Sequence, residues 1–405
     1  MTFSRRNFLV GASTATALTA LAPGLRVSFA QEAQSSNDIL IVLFQRGACD
    51  WLQMLSPAGD ANYIAARPGI KVPTSGENAG IGLDSLDGVD FYLSNSAPEL
   101  KSLYDNEHIA FIHATGLHTA DRSHFTVQAN MEKGVADGEL EQDTGWLARH
   151  VASTGAASSD LAVIASGASN PVSLLGESGA TAIADPAEFK IAGDALNADV
   201  IRAMNPGGSP YQDVAISTLN AVDLVQEKYA TLEKSDANVG YTGGALSRSL
   251  SSLAELIKMD LGVNVATVDF GSWDMHNNLP NEFAQRTTEF SQSLNAFWKD
   301  MLDYRDRITL VTMTEFGRRL QQNANNGTDH GSASAMMVMS GNVKGGKIYG
   351  DWPGLAASQL NNGDLAVTTD YRQVISEILV KRHGEGNLSQ VFPTIQYQPL
   401  GFLNA

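Results

Sequence analysis

The chain has 405 residues, with 44 acidic side chains against 27 lysines and arginines and a formal net charge of −17. So acidic a chain excludes nucleic acid and anionic lipid as partners, and an anionic substrate has to be drawn by a local cation, either a metal or a clustered arginine. The single cysteine, Cys49, excludes an intrachain disulfide and is expected as a small buried residue in a turn.

The chain opens on Ser4-Arg-Arg-Asn-Phe-Leu-Val10, which matches the twin-arginine export consensus. A mildly apolar run follows from Leu9 to Leu21, and Ser28-Phe29-Ala30 offers small residues to a signal peptidase. Residues 1–30 are expected as a signal peptide cleaved after Ala30, with a periplasmic or secreted destination. The run is rich in Thr, Ser, Ala and Gly and falls short of the roughly 20 strongly apolar residues of a membrane span. Removing its three arginines takes the net charge from −17 to −20. Residues 31–405 are expected as one domain with no transmembrane segment.

Asp38–Phe44 is a continuous apolar run, the pattern of a strand buried on both faces. It ends in a glycine turn that delivers Asp50. Residues 58–96 read as irregular. Pro98–Asn106 predicts a short helix with proline at its start, and His108–His113 a second buried strand. A turn then leads to Ser123 at the head of a helix running through Glu132, where Ser123 serves as an N-cap, as a nucleophile, or as both. A helix is expected over Thr144–Ala152 and a strand over Leu161–Ala165. Residues 166–207 give no firm pattern. Helices are expected over Tyr211–Lys234 and Gly243–Asp260, then a strand over Val263–Phe270 that runs into Gly271-Ser-Trp-Asp-Met-His-Asn-Asn278. A long helix over Asn281–Tyr304 precedes the strand Arg307–Met313 and Glu315. Beyond a polar loop come Asp329 and His330, an apolar run over Ala333–Met339, a hairpin-like turn over Asn342–Gly350 and a last helix over Tyr371–His383. Strands alternating with helices argue for an α/β fold, a mostly parallel central sheet covered on both faces.

In such a sheet the strand C-termini share one edge, so Asp50, Asp274 with His276, Glu315, and Asp329 with His330 can meet there. Clustered carboxylates repel, and a divalent cation relieves them. Oxygen and imidazole donors without sulfur suit Zn²⁺ first, with Mn²⁺ or Mg²⁺ as alternatives, as one ion or two. Arg122 or Arg318 is the expected clamp for a substrate's peripheral oxygens. His113 and His118 are expected in the core or in loops, and His108, His150 and His383 lack carboxylate context.

Several motifs follow one another in characteristic order: Arg46-Gly-Ala-Cys-Asp50, Arg122-Ser-His-Phe125, Trp273-Asp-Met-His276, Thr314-Glu-Phe-Gly-Arg318, Gly327-Thr-Asp-His-Gly331, Lys344–Pro353 and Thr368-Thr-Asp-Tyr-Arg372. Together with the leader, they resemble the bacterial exported proteins of domain of unknown function 1501. That family is similar in fold to the alkaline phosphatase and sulfatase superfamily, an α/β/α sandwich. The resemblance implies metal-binding roles for Asp50, Asp274, His276, Glu315, Asp329 and His330, and a nucleophile at Ser123. Phe316 stands where the superfamily usually has a histidine. The expected function is an exported metal-dependent hydrolase of a small anionic phosphate or sulfate ester. The alternative is a non-catalytic exported binding or assembly protein that keeps the fold and at most a structural metal.

Overall fold

The computed structural model describes residues 38–156, 159, 161–192 and 195–404; the expected signal peptide, its cleavage point and residues 31–37 lie outside the described residues. Strands are numbered in chain order: β1 (Ile39–Gln45), β2 (Leu55–Ser56), β3 (Ile81–Leu86), β4 (Val89–Leu93), β5 (Ile109–Gly116), β6 (Val163–Ser166) and β7 (Thr181–Ala182). The second half supplies β8 (Val265–Phe270), β9 (Ile308–Met313), β10 (Arg318–Gln322), β11 (Thr328–His330), β12 (Ser334–Ser340), β13 (Lys347–Tyr349) and β14 (Thr369–Asp370).

The central sheet runs β13-β5-β12-β9-β1-β8-β6-β7, with β14 beside β5. Its pairs are parallel except those that β12 makes with β5 and β9. Strand β1 shows why three layers form. Ile39, Ile41 and Leu43 pack into one core with residues of helices Pro98–Asp105, Ala245–Lys258 and Leu279–Asp300. Leu40, Val42 and Phe44 pack on the opposite face with residues of helices His124–Lys133, Trp146–Thr154 and Tyr371–Arg382. An apolar residue at every position is what a strand covered on both sides requires. The expected α/β/α sandwich is therefore the fold, and among the described residues no helix is long and apolar enough to cross a membrane.

Two local expectations are corrected. Residues 58–96 contain helix Ala61–Ala66 and strands β3 and β4, which form a small antiparallel sheet, β2-β4-β3, with the preceding β2. The run read as a hairpin near 342–350 instead places β13 parallel to β5. The loop at 323–327 joins β10 to β11 as a two-stranded ribbon. Because β12 runs against its neighbours, its start meets the ends of the others: Ser334 pairs with Thr115, as Gln45 pairs with Phe270 and Phe44 with Met313. Segments following β1, β5, β8 and β9, and the one preceding β12, thus converge on one edge.

Candidate metal centre

Four side chains meet at that edge. Nε2 of His330 lies 3.0 Å from Nε2 of His124 and 3.0 Å from Nε2 of His276. Oδ1 of Asp274 lies 2.9 Å from His276, 3.2 Å from His330 and 3.4 Å from His124. Donor atoms of His124, Asp274 and His330 all fall within 4.8 Å of one another, and His276 joins through Asp274 and His330 rather than through His124. The donors of a tetrahedral zinc site stand about 3.3–3.6 Å apart. Five of the six pairs, at 2.9–3.4 Å, are close to that, while His124 and His276 stand farther apart.

The protons make the case stronger. His124 Nδ1 faces Glu315 Oε1 at 2.7 Å, His276 Nδ1 faces Asp329 Oδ1 at 3.0 Å, and His330 Nδ1 faces the Arg122 carbonyl at 2.8 Å. Each of those oxygens accepts, so each Nδ1 donates, and each neutral ring turns its Nε2 lone pair toward the cluster. Three lone pairs and a carboxylate oxygen aimed at one another repel. The hydrogen bond to Glu315 raises the His124 pKa, which favours a proton on its Nε2. That proton would relieve the His124–His330 contact and leave His276 against His330 unrelieved. A divalent cation relieves all of them, and imidazoles braced on carboxylates or a carbonyl are the usual way protein zinc ligands are held.

The surrounding charges tune the same atoms. Burial pushes the Asp274 carboxyl up, but the Arg318 hydrogen bond and charge, with His276 and His124, hold it down to about 2. Burial lowers the His330 pKa and keeps its ring neutral. Glu315 is fully buried, which pushes it up, yet hydrogen bonds from His124 and Gln128 bring it below the ordinary carboxylate value. Asp329 is lowered chiefly by the hydrogen bond from His276.

The expected residues therefore separate into two groups. Asp274, His276 and His330 come together. Glu315 and Asp329 brace histidines instead of facing the centre, and Glu315 Oε1 also accepts from Gly47 N and Gln128. Asp50 is turned to Arg67, whose Nη1 and Nη2 bind its two oxygens at 2.9 and 3.1 Å, both side chains being buried. Arg318 is buried and donates to the carbonyls of Gly47, Ala48, Trp273 and Thr328 as well as to Asp274, so it is a brace rather than an open clamp for a substrate. Arg122 is tied to the carbonyls of Thr119 and Asp121, to Ser332 and to Asp364. Ser123 is the N-cap of helix His124–Lys133, but its side chain makes no cap hydrogen bond. Sequence reasoning missed His124, which stood inside the Arg122-Ser-His-Phe125 motif and was passed over. The available signal was that buried Glu315 needs a cationic or donor partner. Phe316 sets its ring, tilted, 5.0 Å from His124 and 4.9 Å from His330.

The family described as "Protein of unknown function (DUF1501)" matches residues 110–385. Among solved structures, lipoteichoic acid synthase LtaP from Listeria monocytogenes is 11% identical over 88% of this chain and 80% of its own, with a TM-score of 0.33. The PsFucS1 sulfatase from Pseudoalteromonas sp. is 8% identical over 85% of this chain and 68% of its own, also at 0.33. Likenesses so remote carry no weight for the site. Among curated proteins nothing matches.

Proposed function

The chain belongs to the family described as protein of unknown function (DUF1501), and we propose that it is an exported, metal-dependent hydrolase of a phosphate or sulfate ester. The observation that carries this reading is the convergence of three braced imidazoles and Asp274 at an accessible sheet edge. His276 and Asp274 are 41% and 44% exposed there, so a substrate can reach them. One ion fits better than two, since Arg67 neutralises Asp50 and Arg318 neutralises part of Asp274. A divalent ion held by Asp274, His330 and the other imidazoles would supply Lewis-acid stabilisation of charge on an ester oxygen. Ser123, beside His124 and free of capping, supplies a hydroxyl to attack or to orient water. The first N–H groups of its helix have no partner within the helix and are oriented to receive an oxyanion.

One observation favours the second reading, a non-catalytic binding or assembly protein with a structural metal. His124, Asp274, His276 and His330 together offer four protein donors, and structural zinc sites take all their ligands from the protein. Elemental analysis and turnover of aryl phosphate and aryl sulfate separate the two. The hydrolase reading expects about one ion per chain, lost in His330→Ala, and turnover that falls by about 10³ or more in Ser123→Ala. Full activity in Ser123→Ala or after chelation refutes it, and a tightly held ion without turnover supports the second reading. Export by the twin-arginine route is part of the proposal. Arg5→Lys with Arg6→Lys should retain the precursor inside the cell, read by immunoblot of fractions.

A further inference from the structure

One loop away from His276 lies a cavity of about 690 Å³ whose lining includes five asparagines: Asn277, Asn278, Asn281, Asn325 and Asn326. We propose that this cleft binds a neutral, hydroxyl-rich group such as a sugar, as the part of the substrate to which the ester is attached; this rests on the hydrolase reading of the adjoining centre.

The lining carries no ionic side chain, although the chain as a whole has a net charge of −17. Nor does it carry an aromatic or long aliphatic side chain that would receive the apolar part of a peptide or lipid. A carboxamide offers two donors and one acceptor without charge. A hydroxyl is donor and acceptor at once, so adjacent hydroxyls on a ring match adjacent amides in either sense. Among the described residues the side chains of Asn277, Asn325 and Asn326 make no hydrogen bond within the protein, whereas Asn281 donates to Asn278.

The backbone under these amides is fixed. Asn278 N donates to the Asn325 carbonyl at 3.1 Å, and Leu279 N to that of Asn326 at 2.9 Å. Asn323, outside the cleft, ties the two loops to the centre by donating to the His276 carbonyl at 2.8 Å and to Asp329 Oδ1 at 3.1 Å. The free amides are therefore held in register with a histidine of the candidate centre. A cavity of a few hundred cubic ångströms is the usual scale of a small-molecule site. A ligand group seated there would lie beside the cation and not on it.

The experiment uses the full-length mature protein carrying Ser123→Ala, metal-loaded, with glucose, galactose, mannose, N-acetylglucosamine and maltose as probes in saturation-transfer NMR. At least one should bind with a dissociation constant in the millimolar range. Asn277→Ala with Asn326→Ala should weaken that binding at least tenfold at unchanged Tm. Asn277→Asp, which keeps the shape and replaces two donors by a charge, should weaken it as well. Binding of none of the five, or binding untouched by these variants, overturns the proposal. Aryl-ester turnover by the wild-type protein is measured separately, so failure of the hydrolase reading leaves the sugar signal standing, and an active enzyme that binds no sugar refutes only the cleft.

Discussion

Asp50 and Glu315 are two carboxylates at strand ends, and in sequence they look alike. Their partners make them different. Asp50 faces a buried guanidinium, and Glu315 holds the Nδ1–H of a histidine whose other nitrogen points into the cluster. Asp50→Asn should therefore lower stability, by about 3 kcal/mol, because Arg67 is left buried without its counter-charge, and should leave the bound-ion stoichiometry unchanged. Glu315→Gln should keep the fold and weaken ion affinity by about 10- to 100-fold, since the brace on His124 loses its charge. Urea unfolding and competition with a chelator measure the two effects. Loss of the ion in Asp50→Asn would put that residue back among the ligands.

At the scale of elements, the site depends on how closely the turn after β1 approaches the segment after β8. Gly47 sits at φ +109°, and a Cβ there would lie 2.8 Å from Asp274 N and 2.9 Å from Trp273 N. Both obstacles are backbone, so neither yields cheaply. Gly47→Ala should destabilise by roughly 2 kcal/mol or more and weaken ion binding, whereas Gly59→Ala, with nothing within 4 Å, should do neither. Equal Tm and equal ion affinity in the two variants would disprove the packing argument. The buried strands were legible because β1, β5 and β9, buried at every position, are built mostly of apolar residues, a pattern few other elements share. The small sheet β2-β4-β3 was not. β2 has two residues, and β3 has no fully buried residue and alternates only over its first four positions, too briefly to stand out. The direction of β12 was also hidden, since an apolar run reads the same in both directions. In the candidate centre, Asp274, His276 and His330 were legible as donors after strands. The division between atoms facing the cluster and atoms bracing it depends on which ring nitrogen meets which oxygen, which no spacing encodes.

For the whole molecule, acid sensitivity should arise partly from histidines outside the candidate centre. His113 packs against Phe91 and Trp352 at ring separations of 5.0 and 4.6 Å, accepts from Ala114 N at 2.8 Å and donates to the Leu55 carbonyl. Burial lowers its pKa to about 4. His383 is buried beside His150, its Nε2 has no hydrogen-bond partner, and burial together with the charges of His150 and Arg382 lowers it to about 3. Both are neutral when folded, and both take up a proton near pH 6.5 when unfolded. The unfolded state therefore binds more protons below pH 6.5, and stability present above that value is lost as the pH falls toward 4 for His113 and toward 3 for His383. Each group should contribute a slope of roughly 1.4 kcal/mol per pH unit in that window. His383→Leu removes one such proton along with the unpartnered nitrogen. Urea unfolding between pH 7 and 5 should show the variant losing stability less steeply than the wild type, by about one proton's worth of slope, even if its stability at pH 7 is lower. Parallel slopes would mean that the unfolded and folded chains bind the same number of protons at His383, and that its burial has no part in the response to acid.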